Sequence, residues 1–223
     1  MKPICSGPKC SGVDSWDLGS ITITMRSDRQ VTTGLGNHAA SMPERPGLGL
    51  EECLVADELA IRAWRESDIA ELRRFGAKNR SHLERWEWWP ADYAEERSML
   101  VDWVVGRSQG VIYSYGIWCD RELIGQCQLG DGEQGTWRVG CCVGEDNQGH
   151  GIATRSLRVL CRQAFGDRRC VAIDARIDMA NTKSIGIVLR LGFRLSKIVS
   201  HTIDTPIQSG QFGHWTLSPE DLT

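Results

Sequence analysis

Gln148-Gly149-His150-Gly151-Ile152-Ala153 lies between an apolar, strand-like run at 137–143 and a helix-like run that opens at Ile152. A Gly-rich turn that opens a helix aims several unpaired backbone N–H groups at one point, and the positive end of the helix dipole adds to their pull. Such a turn binds a phosphate or pyrophosphate. Two nucleotide readings fail on context. A Walker loop needs Gly-Lys-Ser or Gly-Lys-Thr, and Gly151-Ile152-Ala153 supplies neither. A dinucleotide fingerprint follows the first strand of its unit and carries an acid roughly 20 residues on. Here the turn comes late in the strand order and is fed by a hairpin.

The flanking pattern is that of one folded domain. Leu59-Ala60-Ile61-Arg62-Ala63-Trp64 reads as a strand, and Ser67 or Asp68 caps a helix carrying Ile69, Leu72 and Phe75. Ser81 is expected to cap a second short helix ending near Pro90. Asp92 then starts a third, with Met99, Leu100, Trp103 and Val104 on one face. Residues 111–119 and 123–129 are β-rich runs about an Asp120-Arg121-Glu122 turn, and polar residues 130–133 break the chain before 137–143. Past the Gly-rich turn, Ile152, Leu157, Leu160, Cys161 and Phe165 mark an amphipathic helix. A strand at 170–177, a helix at 182–191 and strands at 193–203 and 212–217 complete the domain. Hairpin strands followed by βαβ units predict a mixed α/β (α+β) fold with helices on both faces of the sheet.

Residues 1–52 differ from the rest. They are rich in Gly, Ser and Pro, lack periodicity and end in Met42-Pro43-Glu44-Arg45-Pro46-Gly47. They read as a flexible or loosely docked extension before a domain at 53–223; the alternative is that translation starts at Met42. Within them Ile21-Thr22-Ile23-Thr24 alternates like an isolated strand, which alone has little stability.

Bulk properties narrow the class. A net charge of −3 and a pI near 6.0 give no global drive toward nucleic acid or anionic membranes. The nine cysteines include no C-x-x-C pair, and adjacent Cys141 and Cys142 would point to opposite faces of a strand, which argues against metal ligation. Most lie in apolar runs as small core residues. Their number suggests a reducing, cytoplasmic compartment. The N-terminus lacks an apolar signal core and no window approaches a membrane span.

A second segment settles whose phosphate the turn holds. Asn181-Thr182-Lys183-Ser184-Ile185-Gly186-Ile187-Val188-Leu189-Arg190-Leu191-Gly192-Phe193 follows a strand and ends in Gly-Phe. Together with Gln148, Gly151 and Ala153, which match Gln/Arg-x-x-Gly-x-Gly/Ala, it resembles the GNAT superfamily of acyl-CoA-dependent N-acyltransferases. N-x-x-S followed by Leu-Gly-Phe, and an Asn79, Leu83, Trp86 pattern upstream, are similar to the branch that acetylates ribosomal-protein N-termini. The resemblance covers roughly residues 57–218. It implies a mixed, mostly antiparallel sheet of about seven strands that splays at the acyl-CoA site.

It also implies roles. Backbone N–H groups of Gln148, Gly149, His150, Gly151, Ile152 and Ala153 would cradle the CoA pyrophosphate, each charge-assisted bond worth about 1.5–3 kcal/mol. His150 would reach a phosphate. The strand at Cys141, Cys142 and Val143 would pair with the pantetheine arm, Asn181 would hold an acyl or pantetheine amide, and Ser184 would protonate the departing thiolate. Many relatives place a Glu on the strand that here reads Thr136-Trp137-Arg138, and this chain has no acid there. Asp174, Asp178, Glu133 or a water chain remain as candidate bases. Asp178 reads more simply as a solvated strand-end carboxylate.

Trp86, Trp88, Trp89 and Tyr93 cluster where the resemblance places the acceptor groove, and Trp86, Trp89 and Tyr93 are expected to touch the acceptor. Trp64, Trp103, Trp118, Trp137 and Trp215 read as core, and His82, His201 and His214 as structural or exposed. The expected activity is transfer of an acetyl group from acetyl-CoA to a primary amine, by a monomer or homodimer without metal. The amine is a peptide N-terminus or a small molecule such as an antibiotic, amino acid or polyamine. A different acyl donor and a non-catalytic acyl-CoA-binding module are the alternatives.

Overall fold

The computed structural model describes residues 48–86, 90, 92–131, 135–167, 169–203 and 205–223, and the backbone of Thr22 and Ile23. Trp88, Trp89 and Glu133 lie outside the described residues.

The chain opens with β1 (Thr22–Ile23), β2 (Cys53–Ala56) and β3 (Leu59–Ala63). Helix α1 (Ile69–Leu83) follows, burying Leu72, Phe75, Asn79, His82 and Leu83. Ser81 sits inside α1 instead of capping a second helix, because nothing at 76–81 interrupts the buried face. Helix α2 (Tyr93–Ser108) starts where expected, with Asp92 accepting from the Glu95 N–H at 3.0 Å.

Strands β4 (Ile112–Cys119) and β5 (Glu122–Asp131) form a hairpin. Its central residues, Asp120 and Arg121, have φ of 45° and 68°. A two-residue turn with both φ positive matches the twist of the flanking strands. Then come β6 (Thr136–Val143), α3 (Ile152–Phe165), β7 (Ala172–Asp178), α4 (Thr182–Arg190), β8 (Arg194–Ser200) and β9 (Gln211–Leu217).

The sheet runs β2-β3-β4-β5-β6-β7-β9-β8, with β1 added to β6 off this path. The sheet therefore exceeds the expected seven strands; the short Cys53–Ala56 strand carries too few residues to show an alternation in the sequence. Every pairing is antiparallel except β6 with β7. One face packs beneath α3 and α4 around Tyr115, Val139, Leu157, Leu160, Ile173 and Val188. The other packs beneath α1 and α2 around Trp64, Phe75, Leu100, Trp103 and Trp118. Cys141 joins the first cluster and Cys142 the second, as strand alternation requires. Trp64, Trp103, Trp118, Trp137 and Trp215 are all buried.

The parallel pair is incomplete. β6 and β7 are in register only for Thr136–Arg138 against Ala172–Asp174. Beyond it β6 pairs with β5 and β1, and β7 with β9. The two strands therefore part toward their carboxyl ends. Such a split leaves an unpaired row of N–H and C=O groups on β6, a template for added backbone. Residues Thr22 and Ile23 take it, opposite Cys142 and Cys141. Thr22–Ile23 is thus not an isolated strand, and β1 meets β7 as well as β6.

Candidate active site

The split is flanked by two helix starts. α3 begins after β6 and α4 after β7, so both N-termini meet the carboxyl ends of the parallel pair, the usual ligand position in such sheets. At α3, Gly149 and Gly151 have φ of 78° and 69°, a region costly for any residue with a Cβ. The first helical bond runs from Arg155 N–H to the Gly151 carbonyl at 3.0 Å, which leaves the N–H groups of Ile152, Ala153 and Thr154 outside the helix ladder. A Cβ at Gly151 would meet nothing within 4 Å, so the space in front of the turn is open. The Ile152 and Ala153 side chains are buried in the core, which fixes the backbone from behind.

α1 holds this turn in place. Asn79 is buried; its Oδ1 accepts from the Glu145 N–H at 2.8 Å, and its Nδ2 donates to the Phe75 carbonyl at 2.9 Å. One helical turn on, buried His82 has its Nε2 2.7 Å from the Gln148 side-chain amide. Burial pushes the His82 pKa down, with Arg85 and Lys183 adding to the effect and Glu145 opposing it. A neutral His82 accepts at Nε2 from Gln148. This contact was missed in the sequence, where His82 read as structural or exposed; its signal was the i, i+3 spacing from Asn79 on one helix face. His150 is exposed at the loop tip. Arg155, in the first turn of α3, is tied to Asp57 and Glu58 at 3.0 Å each.

At the second helix start, Asn181 is the N-cap of α4, its Oδ1 accepting from the Ser184 N–H at 3.1 Å. Asn181 and Ser184 are both buried. Asp178 is not solvated: it is buried and accepts from the Ala180 N–H at 2.8 Å and from the Ser209 hydroxyl and N–H at 2.8 and 3.0 Å. A carboxylate so engaged ties the turn after β7 to the loop at Ser209. Asp174 pairs with Arg138 at 3.3 Å and approaches Arg176 at 3.9 Å. Burial drives the Cys141 thiol well up, so Cys141 and Cys142 serve the strand through backbone and packing rather than as nucleophiles.

Of the expected acceptor contacts, Trp86 is half-buried in the turn after α1, and its carbonyl accepts from the Gln208 amide at 3.3 Å. That loop continues to Ser209 and so to Asp178 at the open end of β7. Tyr93 stands exposed at the start of α2 beneath the Arg73 guanidinium, 4.9 Å from the ring centre.

The sheet thus splits between its two parallel strands, with a helix start that exposes backbone N–H groups at the mouth of the split. The chain belongs to the GNAT acetyltransferase family: residues 58–194 match the model of the acetyltransferase (GNAT) domain. It is an N-acetyltransferase, moving an acetyl group from acetyl-CoA to a protein or small-molecule amine. Comparison with curated proteins returned no match. Among solved structures, the fold is similar to RimL, the ribosomal L7/L12 alpha-N-protein acetyltransferase, in complex with coenzyme A. The TM-score is 0.70 at 20% identity, over 75% of this chain and 98% of that one. It is also similar to Mycobacterium smegmatis RimJ in complex with CoA-disulfide, with a TM-score of 0.67 at 22% identity over 78% and 88% of the two chains. The microcin C7 self-immunity acetyltransferase MccE, in complex with acetyl-CoA and AMP, gives a TM-score of 0.67 at 18% identity over 73% and 93%.

Proposed function

We propose that acetyl-CoA lies with its pyrophosphate on the N–H groups of 148–154 and its pantetheine arm along the β6 edge at Cys141, Cys142 and Val143. The observation that supports this most is the split itself, which leaves β6 backbone without a β7 partner beside a helix start left open to solvent. The amides of pantetheine would then pair with the β6 edge at Cys141 and Cys142 in place of β1. The thioester comes to rest near the last β6–β7 pair, where a β6 N–H faces the developing oxyanion.

An amine attacks the thioester carbonyl, the tetrahedral adduct collapses with loss of the thiolate, and the amide retains the acetyl group. Ser184, at the first turn of α4, returns a proton to sulfur. A thiol with pKa about 8.5 leaves readily, so that proton helps without being indispensable. With Asp178 saturated and Asp174 bound to Arg138, the ammonium proton leaves to water. Arg138 lies on the strand where many relatives carry a Glu and is paired with Asp174 at 3.3 Å, so no acid of that strand takes the proton. Proximity supplies much of the remaining rate.

The acceptor in this reading is the N-terminus of a peptide or protein, as for RimL, the ribosomal L7/L12 alpha-N-protein acetyltransferase, and the compartment is the cytoplasm. Leu48 and Leu50 are buried in the main core, and Arg107 donates to the carbonyls of Leu50 and Glu51 at 2.8 Å each. The catalytic domain is therefore drawn from 48, with the preceding residues as the extension. Calorimetry with acetyl-CoA, paired with thiol release on a panel of peptides and small amines, tests the reading. Tight binding without turnover on any amine would favour a binding module. Ser184→Ala should lower turnover several-fold with acetyl-CoA affinity retained; unchanged turnover would remove Ser184 from the reaction.

A further inference from the structure

Arg155 stands in the first turn of α3, where a cation works against the helix dipole that favours the donor phosphates. Its guanidinium is not free to grip an anion. Nη1 donates to Asp57 at 3.0 Å and to the two Glu58 oxygens at 3.1 and 3.0 Å, and Nη2 donates to Glu58 at 3.1 Å. Nη2 also donates to the His150 carbonyl at 3.4 Å. Both Nη atoms are thus committed, and one of their acceptors is a carbonyl of the Gly-rich turn itself.

The carboxylates come from the two-residue turn between β2 and β3, 98 and 97 residues earlier in the chain. Core packing fixes that turn from beneath: Leu54, Ala56, Leu59 and Ile61 join the cluster that holds Leu157 and Leu160 of α3. Asp57 has a φ of 55°, a left-handed conformation that Asp tolerates better than most residues and that still costs free energy. Isolated surface ion pairs contribute little, but a bidentate arginine shared by two carboxylates has the geometry in which such pairs count. Hydrogen bonding to Arg155 holds the Glu58 carboxyl below its usual range; its own backbone N–H and the Arg155 charge add to the effect, and burial opposes it.

Peptide geometry gives this brace a consequence at the donor site. The 150–151 peptide is trans, and in a planar trans peptide the C=O and the N–H point in opposite directions. Arg155 holds the His150 carbonyl on its own side, so the Gly151 N–H of the same peptide is turned away from that side. Among the described residues this N–H has no hydrogen-bond partner. We infer that Arg155 is a positioning residue for the donor: it orients the 150–151 peptide so that the Gly151 N–H meets the pyrophosphate, and Asp57 and Glu58 hold the guanidinium in place to do so. A cation at the carbonyl also polarises the amide and strengthens its N–H as a donor. The inference rests on the reading that the N–H groups of 148–154 hold the pyrophosphate.

The test measures calorimetric affinity of the full-length protein for acetyl-CoA and for acetyl-3′-dephospho-CoA, with urea denaturation to keep every comparison on folded protein. Both ligands carry the pyrophosphate. Arg155→Gln should weaken both by the same factor, at least about fivefold, less than the loss of a whole charge-assisted hydrogen bond. Arg155→Lys should recover only part of this, because one ammonium cannot span the His150 carbonyl and two carboxylates. Glu58→Gln should weaken binding by about two- to threefold. The double variant should bind no more weakly than Arg155→Gln alone, since Glu58 acts through Arg155. A loss confined to acetyl-CoA would make Arg155 a ligand of the 3′-phosphate, and tighter binding by Glu58→Gln would make it a phosphate ligand restrained by its carboxylates; either result overturns the inference. Lowered stability with unchanged affinity overturns it too, leaving only a structural ion pair. If the wild type binds neither ligand, the donor reading itself falls and the inference with it.

Discussion

Gly151 carries the donor site at the level of a single residue. With φ at 69° and open space where its Cβ would project, Gly151→Ala adds backbone strain, about 1–2 kcal/mol, and no clash. Gly151→Asp adds a carboxylate in front of the N–H cradle and should weaken acetyl-CoA by about a hundredfold, the loss of one or two charge-assisted bonds. Calorimetry on both variants separates strain from charge. His82 makes the site pH-sensitive. Its folded pKa is depressed by burial, so the unfolded chain binds more protons once the pH drops below about 6.5. The stability tied to His82 is whole above that value and is lost as the pH falls from there through its lower folded pKa. Protonated His82 also cannot accept from Gln148. Wild-type acetyl-CoA affinity should fall faster than that of His82→Gln as the pH drops below about 6.5, and at a lower pH than an ordinary imidazole would set; parallel curves would remove His82 from the turn's support.

Between elements, the coupling that matters joins α1 to the β6–α3 loop. Asn79 makes two hydrogen bonds from a buried position, and a Cβ at Gly144 would come within 3.1 Å of its Oδ1. Asn79→Ala leaves the Glu145 N–H and Phe75 carbonyl without that partner and should cost about 2–3 kcal/mol in chemical denaturation. It should also weaken acetyl-CoA, since Gln148 begins one residue beyond the short 3-10 turn that Glu145 opens. Destabilisation without any change in affinity would show that the loop holds its shape unaided.

For the whole molecule, the first question is what β1 does on the edge that the pantetheine arm needs. An occupied edge reduces apparent affinity by the fraction of molecules in which it is free. Ile23→Pro removes a backbone donor from β1 and should lower the acetyl-CoA Kd by roughly three- to tenfold, measured by calorimetry on the full chain. Weaker binding would mean that the segment helps build the donor site.

Local chemistry was legible in the sequence because it depends on neighbours along the chain. The Gly-x-Gly turn before a helix, Asp92 as a helix cap, the Asp120-Arg121 hairpin and the alternation of Cys141 and Cys142 all follow from backbone sterics and strand period. The motif at 181–193 added the family and so the donor. What crosses the sheet was not legible. Asp178 read as solvated because its partners at 209 come from a distant loop, and His82 read as isolated because Gln148 lies 66 residues away in the chain. The hold of Asp57 and Glu58 on Arg155, and the pairing of Thr22 and Ile23 with β6, exist only once distant elements are packed together. Side chains one strand apart in space can be any distance apart in sequence, so tertiary structure alone decides which of them meet.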